Sequence, residues 1–424
     1  MKTEDNRIVK TYKYPMYPNV EQERVLLSWM EKGKWIYNLA LQEYERLYHL
    51  KKNDEIAYLE AQKNGIRKKG EKAGTFSQDT AIYNKVKEYI LKYPDLRELP
   101  AVCVDKILEQ VKQAYGDFFK NIKTKKAGGY DKPQDKLAKD DFSLKCKDGG
   151  FDIEVVGNRS ARVYGFPKIA NGLKIRYYRK IDGEVRTQTI IREGDYWYLC
   201  VSIKKDRPLP LPNKKQAVGV DLGIVRTVQL SDGSFDNLPK EAIDGLLARK
   251  KVLQRRLRKK KGGNRNKREK QSNNYKKAYK KIAKIDEKIV NIKKYWQKRI
   301  ATEIARSNEV VIVEKLKVKN MTKSAKGTVD KPGENVKAKS GLNRSILMTA
   351  PYFFKNFLQQ KCNEYSSICV EVNPAYTSQT CSKCGFIDRE SRIDQSRFRC
   401  VECNFELNAD HNAAINILNK GILK

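Results

Sequence analysis

Two cysteine pairs constrain this chain more than any other feature. Cys381 and Cys384 are separated by two residues, as are Cys400 and Cys403, with fifteen residues between the pairs. Thiolates at this spacing form two knuckles that close on one tetrahedral ion. Sulfur in all four positions selects zinc and leaves no position for water, so the site is expected to be structural. The segment 377–407 is therefore expected to fold as a small ribbon around one Zn²⁺, with Arg389, Arg392, Arg397 and Arg399 on its surface. The other five cysteines, Cys103, Cys146, Cys200, Cys362 and Cys369, stand alone and suit small, buried apolar positions. An odd total of nine, with no secretory signal in the polar start MKTEDNRIVK, points to a reducing cytoplasm.

Charge narrows the partners. The chain of 424 residues carries 88 Lys and Arg against 51 Asp and Glu, a formal net charge of +37. Self-repulsion on that scale destabilises a compact state, so a polyanion partner is the economical explanation. A membrane surface is the rival polyanion, but no apolar run reaches the ~18 residues of a spanning helix and no lipidation signal is present. Nucleic acid is the expected partner. Only two histidines occur, His49 and His411. Ser-His-Asp hydrolysis and His-rich zinc hydrolysis are thereby excluded, and carboxylates must carry any catalysis.

The length suits two to four compact units. Residues 8–18 read as a strand ending at prolines. From Val20 to about Leu50 apolar residues recur at helical spacing, with Gly33 expected to separate two helices. Further helices fit 78–92, with Ser77 as N-cap, and 101–122 after Pro100. Residues 141–205 alternate in the manner of a small antiparallel sheet, punctuated by Asp148-Gly149 and Asp182-Gly183. A linker with three prolines ends near 215. Residues 240–306 read as a helical pair whose second arm carries a packing seam of Ile282, Ile285, Ile289, Ile292, Trp296 and Ile300. Residues 249–280 hold sixteen Lys and Arg and one acid, Glu269. They fit a solvated face or a phosphate-gripping hairpin equally well. A strand over 309–316, a helix over about 343–364, a strand at SICVEVN and a closing helix complete the chain.

Three acids stand out. Asp221 interrupts the apolar strand Ala217–Gly223, where a charge costs several kcal/mol unless it is paired or metal-bound. Glu314 ends a second apolar strand, and Asp410 opens the last helix, whose Ala413, Ala414 and Ile417 permit close packing on a sheet. Such acids can converge on a pair of Mg²⁺ ions. Taken singly, each also fits a solvent-facing strand end or a carboxylate favoured by a helix dipole.

The order VGVDLG, VVIVEKL, then NPAYTSQTCSKCG…CVECN…LNADHNAAINI resembles the transposon-encoded TnpB nucleases and the miniature type V CRISPR effectors. The likeness is dense over 371–418 and extends to LNRSI (342–346), LPAVCVDKILEQVKQAYGDFFKN (99–121) and, more weakly, YPNVEQ (17–22). It implies a multidomain α+β protein. Residues 1–18 and 141–210 would form an N-terminal wedge β-barrel, with a helical recognition unit, 19–140, inserted. A ribonuclease-H-like α/β RuvC domain would follow over 211–376, with the basic helical hairpin 240–306. The zinc ribbon 377–407 would then precede the last RuvC helix, 408–424. The resemblance assigns Asp221, Glu314 and Asp410 as catalytic, Mg²⁺-binding acids, Cys381, Cys384, Cys400 and Cys403 as zinc ligands, and Arg392 as an arginine near the active site. It implies an RNA-guided endonuclease that cuts double-stranded DNA beside a short duplex motif, with guide RNA and target DNA as partners and a homodimer on one RNA left open. A DNA transposase of the same fold and an RNA-guided DNA-binding regulator are the alternatives; intact acids count against the regulator. The 51–73 insert and residues 129–142 depart from the family pattern, so no duplex-reading residue is carried onto the first 210 positions.

Overall fold

The computed structural model describes residues 7–66, 75–123, 132–136, 142–147, 150–208, 215–260, 262, 271–327 and 333–422. The chain forms two compact units, Met1–Asp206 and Arg207–Lys424. The Asp148-Gly149 turn, linker residues 209–214, the basic tip around Glu269 and part of the 51–73 insert lie outside the described residues.

In the first unit, β1 (Arg7–Met16) precedes four helices, α1 (Val20–Asn53), α2 (Glu55–Lys63), α3 (Gln78–Lys92) and α4 (Ala101–Lys123). Six strands follow: β2 (Leu144–Lys147), β3 (Asp152–Gly157), β4 (Ser160–Tyr164), β5 (Leu173–Arg176), β6 (Glu184–Glu193) and β7 (Tyr196–Asp206). All seven strands join one antiparallel sheet in the order β2-β6-β7-β1-β5-β4-β3. β1 pairs with β7 from Arg7 opposite Asp206 to Met16 opposite Trp197, so the first strand joins the later six in one sheet and the four helices between β1 and β2 are an insertion into it. The period of two explains the sheet's buried face: Trp197, Leu199, Val201 and Ile203 of β7 point inward with Tyr12, Tyr14 and Met16 of β1.

α1 starts at a reciprocal cap, in which Asn19 accepts from the Gln22 amide and the Gln22 side chain accepts from the Asn19 amide. The break expected at Gly33 does not occur; the helix runs through it. Gly33 is there for proximity, because a Cβ at this position would stand 2.6 Å from the Phe142 ring. Ser77 caps α3 as expected, accepting from the Thr80 amide.

The second unit is built on a five-stranded sheet. β8 (Lys215–Asp221), β9 (Val228–Leu230) and β10 (Phe235–Asp236) form an antiparallel meander, followed by α5 (Lys240–Arg258), α6 (Asn273–Ser307) and β11 (Asn308–Glu314). Then come α7 (Val318–Met321), α8 (Val336–Thr349), α9 (Pro351–Glu364) and β12 (Ile368–Val372). The ribbon strands β13 (Arg397–Arg399) and β14 (Glu406–Asn408) and the helix α10 (Ala409–Ile422) end the chain. The sheet order is β10-β9-β8-β11-β12, with β8, β11 and β12 parallel.

The seam read on α6 is real. Ile282, Ile285, Ile289, Trp296 and Ile300 are buried, and Ile292 packs against the same core at its edge. The single helix expected over 343–364 is two helices instead. Pro351 cannot continue the helical hydrogen bonding, and Ala350 before it takes the left-handed conformation, with φ of 51°. Among the described residues no helix is long and apolar enough to cross a membrane.

Candidate active site

β8 and β11 run parallel and in register, Val220 beside Val313. The next residue on each strand is an acid, Asp221 on β8 and Glu314 on β11. Adjacent parallel strands lie about 4.8 Å apart and in-register side chains share a face, so the two carboxylates leave the sheet side by side. α10 supplies the third. Its packing on β8 depends on Gly219, since a Cβ there would stand 2.2 Å from the Ala414 carbonyl oxygen and 2.6 Å from the Leu418 amide. With the helix backbone this close, Asp410 in its first turn comes to the strand ends. A Cβ on Gly223, two residues past Asp221, would lie 3.7 Å from Asp410 Oδ2. Asn408 caps the helix, accepting from the Asp410 and His411 amides, and the His411 ring lies 3.2 Å from the Ser231 carbonyl between β9 and β10.

Asp221, Glu314, Asp410 and Arg392 all line one cleft of about 560 Å³. Burial and then the charges of Glu314 and Asp410 push the Asp221 carboxyl up to about 7. Burial also raises Glu314 and Asp410; the Thr377 hydroxyl and Lys420 act against it at Glu314, Arg392 and Arg226 at Asp410. The Arg392 guanidinium stands 3.4 Å from Asp410 Oδ1. Hard oxygen donors gathered in one cleft suit divalent cations of the Mg²⁺ type.

Two residues emerge here that spacing could not single out. Thr377 donates its hydroxyl to Glu314 Oε1 at 2.5 Å and is itself buried. Arg226, held by Gln229 at 2.7 Å and stacked 4.3 Å over the Phe235 ring, adds positive charge near Asp410. The only hint of Thr377 in the sequence is its place in the polar run between β12 and the first ribbon cysteine.

The four ribbon cysteines gather with all ligand atoms within 4.8 Å of one another. Among the described residues the three carboxylates form no such compact group; they share the cleft instead. Cys381 and Cys403 sulfurs are 3.7 Å apart and Cys384 and Cys400 sulfurs 3.6 Å. A tetrahedron with Zn–S bonds of about 2.3 Å has edges of about 3.8 Å, so the four residues fit zinc. The ribbon is tied to α10 through Asn412, which donates to the Thr380 carbonyl and accepts from the Ser382 amide, and Asn416, which donates to the Thr377 and Thr380 carbonyls.

Three family models match: one described as a Cas12f1-like TNB domain over residues 352–417, one as "Probable transposase" over 198–325, and one as a helix-turn-helix domain over 8–53. In these segments the chain is similar to the TnpB and Cas12f1-like proteins. It is 29% identical over 345 residues to the "Putative RNA-guided DNA endonuclease InsQ" of Escherichia coli strain K12, covering 80% of each chain. It is 26% identical over 226 residues to the CRISPR-associated endodeoxyribonuclease Cas12f1 of Sulfoacidibacillus thermotolerans, covering 52% of this chain and 49% of the relative. In fold it resembles the Cas12f1 of a complex with sgRNA and target DNA, with a TM-score of 0.55 at 17% identity over 98% of this chain and 99% of that one. In this chain the residues matched as helix-turn-helix are one strand and one uninterrupted helix, β1 and α1.

Proposed function

We propose that the chain is an RNA-guided DNA endonuclease that cuts double-stranded DNA beside a short duplex motif, with both strands cut in succession at one centre. The observation that carries this reading is the meeting of Asp221, Glu314 and Asp410 in one cleft. Burial raises the proton affinity of all three carboxylates, the charges of Glu314 and Asp410 raise it further at Asp221, and bound cations would offset both effects. Two Mg²⁺ ions bound there would supply an activated water and a charge clamp on the attacking and leaving oxygens of a phosphodiester. Asp221, Glu314 and Asp410 would hold the ions from the cleft they share. Thr377 orients Glu314, and Arg392 holds Asp410 while keeping a positive charge at the cleft.

The ribbon with Zn²⁺ on Cys381, Cys384, Cys400 and Cys403 would serve as a brace, since Asn412 and Asn416 transmit its position to the helix that carries Asp410. We read the five-stranded mixed sheet as a ribonuclease-H-like RuvC core. The seven-stranded sheet with its inserted helices is read as the wedge barrel and recognition unit that hold guide RNA and target DNA. The net charge of +37 and the names of the InsQ and Cas12f1 relatives support those partners and a prokaryotic cytoplasmic setting. Base pairing would supply sequence specificity while the protein grips the backbone. The family description that mentions a transposase keeps strand transfer as the rival; RNA of defined sequence copurifying with the protein counts against it.

The test labels each strand of a guide-matched duplex separately and compares Asp221→Ala, Glu314→Ala and Asp410→Ala in Mg²⁺. Each variant should bind the duplex as tightly as the parent and cut neither strand. A variant that nicks one strand at near-parental rate overturns the single centre, and loss of binding in all three makes the acids structural.

A further inference from the structure

Arg226 stands beside the carboxylate cleft with its geometry fixed and its charge unmet. The turn after Asp221 folds it back toward the acids. A Cβ at Gly223 would lie 2.5 Å from the Arg226 carbonyl oxygen and 3.7 Å from Asp410 Oδ2, so glycine is what lets both come so near one point. The turn is tied down twice. Lys240 donates to the Ile224 carbonyl at 2.8 Å, and the Thr227 amide donates to Asn237 Oδ1 at 3.0 Å. The side chain is held as firmly. Its guanidinium lies 4.3 Å over the Phe235 ring, which sets its plane, and donates to Gln229 Oε1 at 2.7 Å, which sets its rotation within that plane. Gln229 cannot turn away, because it is fully buried and its own amide donates to the Leu230 and Ser234 carbonyls at 3.1 and 3.0 Å.

Both of these partners, Gln229 and Phe235, are uncharged. Among the described residues no carboxylate pairs with Arg226 at contact distance, and Asp410 has Arg392 at 3.4 Å. A guanidinium carries five N–H donors in a rigid fork, and Gln229 takes one. We propose that Arg226 grips a backbone phosphate next to the scissile one and thereby sets where the scissile phosphate lies over the carboxylates. This rests on the nuclease reading above and adds a substrate-positioning residue to it. Cations held by the acids attract any phosphate that comes near, without choosing its place along the strand. A guanidinium of fixed plane does choose, because its fork matches two oxygens of one phosphate. With the neighbouring phosphate held, the scissile one has little freedom to slide, and such positioning lowers the barrier without new chemistry.

The RNA-loaded protein is given guide-matched DNA in Mg²⁺, either unmodified or with one phosphate at a time near the cut replaced by an uncharged methylphosphonate. The parent is compared with Arg226→Gln, Arg226→Lys and Phe235→Ala. Thermal melting checks the fold, and Phe235 is 51% exposed, so its removal frees the guanidinium plane without opening the core. Arg226→Gln should slow cutting on the order of thirtyfold, the range of a charge-assisted contact, with duplex affinity unchanged. Arg226→Lys should recover only part of the rate, and Phe235→Ala should fall between Arg226→Gln and the parent. For the parent, one methylphosphonate position should reproduce the loss, and at that position Arg226→Gln should add little further. Parental cutting by Arg226→Gln, losses that multiply at every methylphosphonate position, or a loss cured by more Mg²⁺ overturn the phosphate grip. A parent that leaves unmodified DNA uncut overturns the nuclease reading instead.

Discussion

At the scale of single residues, Asp221 shows what burial beside two other acids does to a carboxylate. Its carboxyl is held up at about 7 by burial and by the charges of Glu314 and Asp410. A raised folded-state value means the native state favours the protonated form. Stability associated with that proton is complete below the unfolded value of about 4 and is lost as pH rises to about 7. In EDTA, Asp221→Asn should therefore raise stability by on the order of 4 kcal/mol at pH 8 and by almost nothing at pH 4. Thermal melting at the two pH values measures it, and added Mg²⁺ should stabilise the parent more than the variant. Thr377 acts one bond further out. Thr377→Val removes the hydroxyl that donates to Glu314. Cutting should slow about tenfold or more with duplex binding unchanged, and Thr377→Ser should recover most of the rate. A kinetic and binding comparison of the two variants separates orientation of the acid from simple loss of fold.

At the scale of elements, the site depends on how closely α10 lies on β8. Gly219 has nothing to do with turns here; it is the place where helix backbone touches strand backbone. Any side chain at 219 must push the helix away, and the helix carries Asp410. Gly219→Ala should cost about 3 kcal/mol, the upper range for overpacking because the clash is with backbone rather than a flexible side chain. It should also abolish cutting before it abolishes binding. Denaturant unfolding and a strand-resolved cleavage assay test both halves. The ribbon reaches the same helix from the other side through Asn412 and Asn416. Displacement of α10 is thus opposed from two directions, by a sheet and by the four-cysteine module.

At the scale of the whole molecule, charge sets the behaviour. An excess of +37 is far more than a fold needs, and the last turn of α5 alone carries Arg255, Arg256 and Arg258. Contacts to six phosphates alone predict a loss of affinity for duplex DNA of roughly a thousandfold between 50 and 200 mM salt. Titrations of the RNA-loaded protein at several salt concentrations measure the slope. A flat response would mean the positive charge does not face the nucleic acid.

Features whose information is local were legible in the sequence. The cysteine spacing specifies a four-sulfur cluster because chelation needs only two short knuckles brought together. The three-and-four spacing along α6 specifies its buried seam because a helix repeats every 3.6 residues. Acids set in apolar strands stood out by the cost of burying charge, but taken singly Asp221 and Glu314 also fitted solvent-facing strand ends, and only the resemblance assigned them a role. Tertiary structure decided the rest. Whether a glycine breaks a helix or admits a neighbour cannot be read from the chain around it, and Gly33 admits the Phe142 ring. Thr377 became a partner of Glu314, and Arg226 a neighbour of Asp410, only when distant segments met. Asp221, Glu314 and Asp410 are nearly two hundred residues apart end to end. They reach one cleft because two parallel strands share a register and a helix backbone rests on a glycine, and such contacts belong to pairs of elements rather than to either sequence alone.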